Sequence, residues 1–482
     1  MIPESFYPTL NRKMKTKYID LIDQTFVFPQ PEFTLDSSNQ LLFHGVDLMQ
    51  LVAAHGTPLK FTYLPRISQN IQRSKSWFQK AMKKISYQGE YHYCYCTKSS
   101  HFSFVLEEVL KNNVHIETSS AFDINIVEKL ISENKISNST SILCNGFKNA
   151  QYLDNIIRLN KARENNVIVI LDNYEELNLL LAKGDKKINV GIRIASEESP
   201  KFEFYTSRLG IGYKNILTYY RNEIKNNDSV ELKMLHFFIN SGIRDTSYYW
   251  NELLKCIKIY VELKKECPSL DSLDIGGGFP IKNSLAFEYD YEYMVEEILS
   301  QIKNACSEAH IPEPKIFTEF GSFTVGESAG AIYKVAYQKK QNDRERWNMI
   351  DSSFITTLPD SWAINSRFIL LALNRWNENY ERVLLGGVTC DSEDYYNSEQ
   401  HLNAIYLPKF NKDKPLYIGF FNTGAYQESI GGFGGIHHCL IPHPKHILID
   451  RDQRGEIKVD VFSEQQNEDQ VLDILGYNRK DK

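Results

Sequence analysis

Eight short apolar and β-branched runs recur through the middle of the chain, each followed by a stretch with a helical period of apolar positions. They are YHYCYCTK (91–98), VHIETS (114–119), SILCNG (141–146), VIVILDN (167–173), INVGIRIAS (188–196), LKMLHFFIN (232–240), SLDIGGG (272–278) and KIFTEFG (315–321). Most are continuously apolar rather than alternating, as in parallel strands covered on both faces. Segments 101–112, 122–134, 149–163, 247–265 and 291–308 read as helices. In the first, Phe104, Leu106 and Leu110 stand among charges, with Ser99 or Ser100 placed to cap it. Eight β–α alternations with right-handed crossovers predict an α/β chain closed into a (β/α)8 TIM barrel. An open doubly wound sheet is the alternative.

After residue 321 the pattern changes. SAGAIYKVAYQKK, ERVLLGGVTCDS, LYIGFFNTGAY and HILIDRD are irregular, aromatic-rich runs with turn residues between them, and 1–50 is similar, with QTFVFP and QLLFH as isolated strands. The expected organisation is a barrel over 51–330 and a second β-rich domain formed from both termini, 1–50 plus 331–482.

Composition narrows the function. Among 482 residues, 55 Lys+Arg face 61 Asp+Glu, a net charge of −6 without a run of like charge, which argues against a nucleic-acid partner. The hydrophobic fraction, 42%, suffices for a packed core. No apolar stretch reaches the length of about 18 residues that a membrane helix needs, and the N-terminus lacks the apolar core of a secretory signal. Eight cysteines without a CxxC pair speak against a disulfide framework or a structural zinc site. The expectation is a cytoplasmic protein with no membrane partner.

Barrels place their chemistry at the C-terminal ends of the strands. There, strand one ends in Lys98, strand two carries Glu117 and strand five carries Arg193; strand six runs into Asn240-Ser241-Gly242, strand seven into Gly276-Gly277-Gly278, and strand eight ends on Glu319. A lysine closing an apolar strand is either a surface residue or a desolvated amine with lowered pKa, able to form a Schiff base with an aldehyde cofactor. Three consecutive glycines let backbone N–H groups converge on an anion, or simply make a tight turn; neither the dinucleotide nor the P-loop spacing is met. Glu319 can hold a protonated pyridine nitrogen or form an ion pair at the barrel mouth. Arg193 can pair with Glu117.

Outside the barrel, VTCDSEDYY sets Cys390 beside Asp391, Glu393 and Asp394. A thiol among acids resists ionisation and suits a proton donor, and the acids suit a cationic substrate; a solvated acidic turn is the alternative. Gly424-Ala425-Tyr426 presents a tyrosine hydroxyl on a turn. His437, His438, His443 and His446 invite a metal reading, but no ligand spacing supports it, so no metal is expected.

Together these segments resemble the alanine-racemase-fold (fold type III) pyridoxal phosphate decarboxylases that act on ornithine, diaminopimelate and arginine. The likeness runs in order along almost the whole chain. YCYCTKSS resembles the family's lysine motif Y-A-V-K-A-N, implying that Lys98 binds pyridoxal 5'-phosphate. HIETSSAFDI places Glu117 near the cofactor, and GIRIAS places Arg193 at the pyridine hydroxyl. LDIGGGFP, Ser241 and the G-A-Y tyrosine, Tyr426, imply the phosphate site. TEFGS resembles E-P-G-R and implies Glu319 at the ring nitrogen. VTCDSEDYY resembles G-P-T-C-D-x-x-D, which implies Cys390 and Asp391, with Asp394 beside them, at the active site of a neighbouring subunit in a homodimer.

Two positions depart from the pattern. The family's stacking histidine is Phe238 here, with His236 two residues back on the same strand face to compensate, and the arginine of E-P-G-R is Ser322. YCTKSS and FFINSG look most like a divergent, shorter bacterial arginine decarboxylase subgroup. The resemblance implies α-decarboxylation of L-arginine to agmatine in polyamine biosynthesis. Ornithine or diaminopimelate decarboxylation, a racemase and a non-catalytic cofactor-binding protein are alternatives on this fold, and a metal-dependent barrel hydrolase is one from outside the family. Lys98→Ala is predicted to abolish the visible absorption of the lysine-bound cofactor; an unchanged spectrum would remove Lys98 from that role.

Overall fold

The computed structural model describes residues 16–163, 166–184, 186–197, 207–396, 404–430 and 438–478. All eight expected strands form: β1 Tyr91–Cys96, β2 His115–Thr118, β3 Ile142–Cys144, β4 Val167–Leu171, β5 Ile188–Ala195, β6 Val230–His236, β7 Ser272–Asp274 and β8 Lys315–Glu319. Each runs parallel to the next, and β8 returns to β1 with Ile316 opposite Tyr91 and Glu319 opposite Cys94. The sheet therefore closes. The structure is the TIM barrel and not the open doubly wound sheet.

Alternation along each strand sorts the side chains into two sets. Tyr93, Tyr95, Ile116, Ile142, Ile192, Ile194, Leu235 and Leu273 pack outward with the surrounding helices. Cys94, Leu143, Ile168, Ile170, Met234 and Phe317 form a separate apolar plug inside the barrel. The same inward parity, continued toward the C-terminal ends, turns Glu117, Asn145, Arg193, His236, Asp274 and Glu319 to the interior above that plug. The charged and amide side chains that face the interior thus gather toward the C-terminal ends of the strands, above the apolar plug.

The helices Ser103–Leu110, Ala121–Ser132, Ala150–Ala162, Ser247–Glu266 and Tyr291–Glu308 fall where the period places them. The expected cap of the first does not form. Its N-cap is Phe102, without a side-chain bond. Ser99 instead lies in a 3-10 turn, Thr97–Ser99, where its Oγ donates to the Cys96 carbonyl at 2.8 Å, and Ser100 accepts from the Tyr95 hydroxyl at 2.8 Å. Both serines brace the turn that carries Lys98.

The second layer is a mixed sheet of ten strands. Its long strand Ala329–Lys340 pairs antiparallel with Leu416–Phe421 and Arg346–Ile350. Leu59–Tyr63, inside the segment expected to belong to the barrel, also lies in this sheet, antiparallel to Ala329–Ile332 and parallel to Lys445–Ile449. QLLFH contributes the strand Leu41–Phe43 of a separate three-stranded sheet, but QTFVFP does not form a strand: its first two residues end the helix Tyr18–Thr25, and Pro29 cannot donate to a ladder. Phe33, Phe43, Phe61, Phe421 and Trp376 join the N-terminal elements to the sheet in one core. Among the described residues no helix is long and apolar enough to cross a membrane.

Candidate active site

Glu319, the last residue of β8, is buried at the floor of the barrel mouth. His236 Nε2, at the end of β6, donates to its Oε2 at 3.0 Å, and Asn145 Nδ2, just beyond β3, donates to Oε1 and Oε2 at 3.1 and 3.3 Å. Burial opposes its charge, yet His236 beside it, with support from Lys98 and Arg193, holds the Glu319 carboxyl well below its ordinary value. Asp274, at the end of β7, goes the other way. Burial and the neighbouring Glu319 push it well above the usual carboxylate range, against the Gly276 amide that donates to Oδ1 at 2.8 Å. The two neighbouring acids are shifted in opposite directions, as expected of two buried carboxyls that cannot both carry charge.

Lys98 stands in the turn after β1. Its Nζ lies 3.2 and 3.4 Å from the two oxygens of Glu117, which is fully buried. The desolvated, lowered pKa that the strand end suggested is not what the structure shows: burial does act in that direction, but the Glu117 carboxylate outweighs it and holds the Lys98 amine above its ordinary value. Glu117 itself is raised by burial despite Lys98. Its ion-pair partner is Lys98, and Arg193 instead sets its guanidinium 5.7 Å above the ring of Phe238. Phe238 is half-buried, whereas His236 is fully buried and engaged with Glu319, so Phe238 presents the ring face and His236 orients the acid.

The triple glycine is dictated by its neighbours. A Cβ on Gly277 would meet the Glu319 carbonyl at 2.0 Å, and one on Gly242, beside Ser241, would meet the Gly278 carbonyl at 2.5 Å. Gly276 and Gly278 have φ of 71° and 102°, in the left-handed region that favours glycine. The Gly276 amide, one of the three expected to meet an anion, is taken by Asp274. Tyr426 arrives from the mixed sheet on a left-handed turn of its own, φ 67°, pinned by its amide to the Ser99 carbonyl at 2.8 Å. Ser241, Gly278, Ser322, Asp360, Arg367 and Tyr426 line a common cleft of about 670 Å³.

The acidic turn divides in two. Asp394 is buried and fully used: Oδ1 accepts from the amides of Phe354 and Ile355 at 2.8 and 3.4 Å, and Oδ2 from the amide and hydroxyl of Thr389 at 3.2 and 2.7 Å. It organises the turn rather than offering a charge to a substrate. Cys390 is exposed and Asp391 half-buried, and among the described residues neither lines the cleft with Tyr426. Of the histidine cluster, His443 Nε2 bonds Glu428 at 2.9 Å and His446 Nε2 bonds Thr62 Oγ1 at 2.9 Å, while His437 and the side chain of His438 lie outside the described residues. The His, Asp and Glu donors that do converge among the described residues are His236, Asp274 and Glu319, within 4.8 Å of one another.

Three buried polar atoms on this floor have no hydrogen-bond partner: Arg193 Nε, His236 Nδ1 and Asp274 Oδ2. Buried polar groups are rarely left so, and a cluster of them beside a lysine, a glycine cradle and an ionised acid fits a polar ligand carrying a phosphate. These features define a barrel built to hold a phosphorylated aldehyde at its C-terminal mouth. The family model described as pyridoxal-dependent decarboxylase, pyridoxal binding domain, matches residues 68–326, more than half the chain, and the protein belongs to that pyridoxal-phosphate-dependent decarboxylase family.

The biosynthetic arginine decarboxylase of Prochlorococcus marinus is 21% identical over 90% of this chain and 85% of its own. That of Vibrio cholerae is 20% identical over 95% and 89%. Among solved structures, the arginine decarboxylase of Campylobacter jejuni has a TM-score of 0.77 at 19% identity, covering 96% of this chain and 90% of its own. The diaminopimelate decarboxylase of M. jannaschii, in complex with L-lysine, has a TM-score of 0.75 at 18% identity, covering 93% and 98%. At these identities the structural likeness is one of fold.

Asn145 and Asp274 were missed by sequence reasoning. The strand-end test applied to the third run, SILCNG, would have found Asn145, and Asp274 stands two residues before Gly276, the first of the glycine run. Asp394→Ala is predicted to lower stability by about 1–3 kcal/mol, the cost of stranding buried donors, while leaving the KM for substrate unchanged. Unchanged stability with a raised KM, read from denaturation and steady-state kinetics, would return Asp394 to substrate binding.

Proposed function

We propose that this protein removes the α-carboxylate of L-arginine to give agmatine and carbon dioxide, as a cytoplasmic homodimer whose sites are completed across the subunit interface. The observation that carries the reaction type is the buried, ionised Glu319 facing into the same barrel mouth as Lys98. Support for arginine comes from relatives named biosynthetic arginine decarboxylases, which match along most of this chain.

Pyridoxal phosphate, when bound, supplies a ring that accepts the electron pair left at the α-carbon as carbon dioxide departs. Lys98 would hold the cofactor through Nζ, and Glu117, 3.2 Å away with its own proton affinity raised, would accept the proton that Nζ must lose. Glu319 keeps a proton at the ring nitrogen, oriented by His236 and Asn145. Arg193 would serve the ring hydroxyl, and Phe238 would serve a face of the ring. Gly277, Gly278, Ser241 and Tyr426 bind the phosphate, with Gly276 shaping the turn.

The cleft presents Arg244, Lys282 and Arg367 but, among the described residues, one acid, Asp360, whose Oδ2 already accepts from Gln427. That balance suits anionic groups and leaves the cationic end of arginine in need of an acid from elsewhere. Asp391 from the second subunit meets that need, and Cys390 beside it returns the proton to the α-carbon.

Carbon dioxide release should be measured from purified holoenzyme with L-arginine, L-ornithine, L-lysine and meso-diaminopimelate in parallel. Release from arginine, at least about tenfold above the others in kcat/KM, is the expected result. Release from another of the four would reassign the substrate, and release from none would refute decarboxylation of this class of amino acid.

A further inference from the structure

Six of the eight cysteines, Cys94, Cys96, Cys144, Cys256, Cys267 and Cys306, are buried. The other two are exposed and meet each other: Cys390 Sγ and Cys439 Sγ are 3.4 Å apart across 49 residues of sequence. Cys390 lies on the acidic turn after the strand Tyr380–Gly386, and Cys439 in the short 3-10 turn His438–Leu440. Nothing in the decarboxylation scheme uses Cys439.

Its backbone is also unusual. Cys439 and Leu440 both have φ of 53°, two consecutive non-glycine residues in a region such residues seldom adopt. Strain of this kind persists where surrounding structure over-determines it, and it recurs at functional positions. Here the strained residue is the one that meets Cys390. The Asp394 carboxylate, through its four donors, fixes the other side of the encounter by holding the turn on which Cys390 sits.

We propose that Cys390 and Cys439 form a reversible disulfide, a peroxide-sensitive switch that withdraws the Cys390 thiol from catalysis. The inference rests on the role given to Cys390 above. A peroxide oxidises the Cys439 thiol to a sulfenic acid, its O–O bond breaking to leave one oxygen on sulfur while the other takes up the thiol proton and leaves as water. The Cys390 thiol then attacks that sulfur, forming the S–S bond, and its proton goes to the departing hydroxyl, which leaves as the second water. In sum, two thiols and one peroxide give one disulfide and two waters. A dithiol reductant reverses the change by exchange. The sulfurs need to close only from 3.4 Å to the disulfide bond length of about 2.05 Å.

The test is to treat the reduced holoenzyme with hydrogen peroxide, then follow carbon dioxide release alongside peptide mass mapping without reductant. The expected result is a cross-linked peptide pair containing Cys390 and Cys439, two hydrogens lighter than the separate peptides, appearing as activity falls. Dithiothreitol should restore both. Cys439→Ser, or Cys439→Ala if the serine variant is poorly folded, should keep the reduced activity and lose it to peroxide at least about tenfold more slowly. Absence of the cross-link in the wild-type protein, or equal sensitivity in the variant, would overturn the proposal. A cross-link that forms without loss of activity would overturn the switch by showing that Cys390 is dispensable, a failure of its catalytic role and not of the pairing.

Discussion

A carboxylate buried in the centre of a barrel stays ionised only if the protein supplies the interactions that water would have supplied. Glu319 is held in that state by His236 and Asn145, and much of the candidate site follows from accommodating it. The apolar plug beneath leaves no solvent to share the charge. Burial, and after it the neighbouring Glu319, push Asp274 well above the usual carboxylate range. Gly277 has no side chain because the Glu319 carbonyl occupies the space one would fill. The glycine turn and the acid are therefore one construction, with the backbone of the turn shaped by the strand that carries Glu319.

The rim is built on a second ion pair with a different purpose. Lys98 and Glu117 are close enough to hold the amine charged in the absence of cofactor, and Glu117, with its proton affinity raised by burial, is a suitable acceptor when that amine must lose a proton. The mixed sheet contributes through Tyr426, whose amide is tied to Ser99 in the same turn as Lys98. This contact couples the two layers of the protein at the site and holds the tyrosine in register with the lysine.

Much of this was legible in the sequence, for physical reasons that also mark where the reading stopped. Parallel strands buried on both faces leave continuous apolar runs, so all eight barrel strands were visible, and polar residues at their ends stood out against that background. Asn145 belongs to the same class and was passed over because an asparagine before glycine also reads as a turn. Leu59–Tyr63 could not be assigned locally, since it joins the second sheet through partners hundreds of residues away. Asp394 looked like a substrate acid because sequence shows a carboxylate but not the four donors that consume it. The sign of the Lys98 shift depended on a fully buried glutamate 3.2 Å away, a distance no spacing rule supplies.

The central claim, that Glu319 remains a carboxylate and keeps the cofactor's ring nitrogen protonated, is tested most directly by the nitrogen-15 chemical shift of labelled pyridoxal phosphate bound to the wild-type protein and to Glu319→Gln. A protonated ring nitrogen in the wild type throughout the neutral pH range, lost in the variant while Lys98 still binds the cofactor, is the predicted result. A neutral nitrogen in the wild type, or a protonated one that survives the substitution, would contradict it.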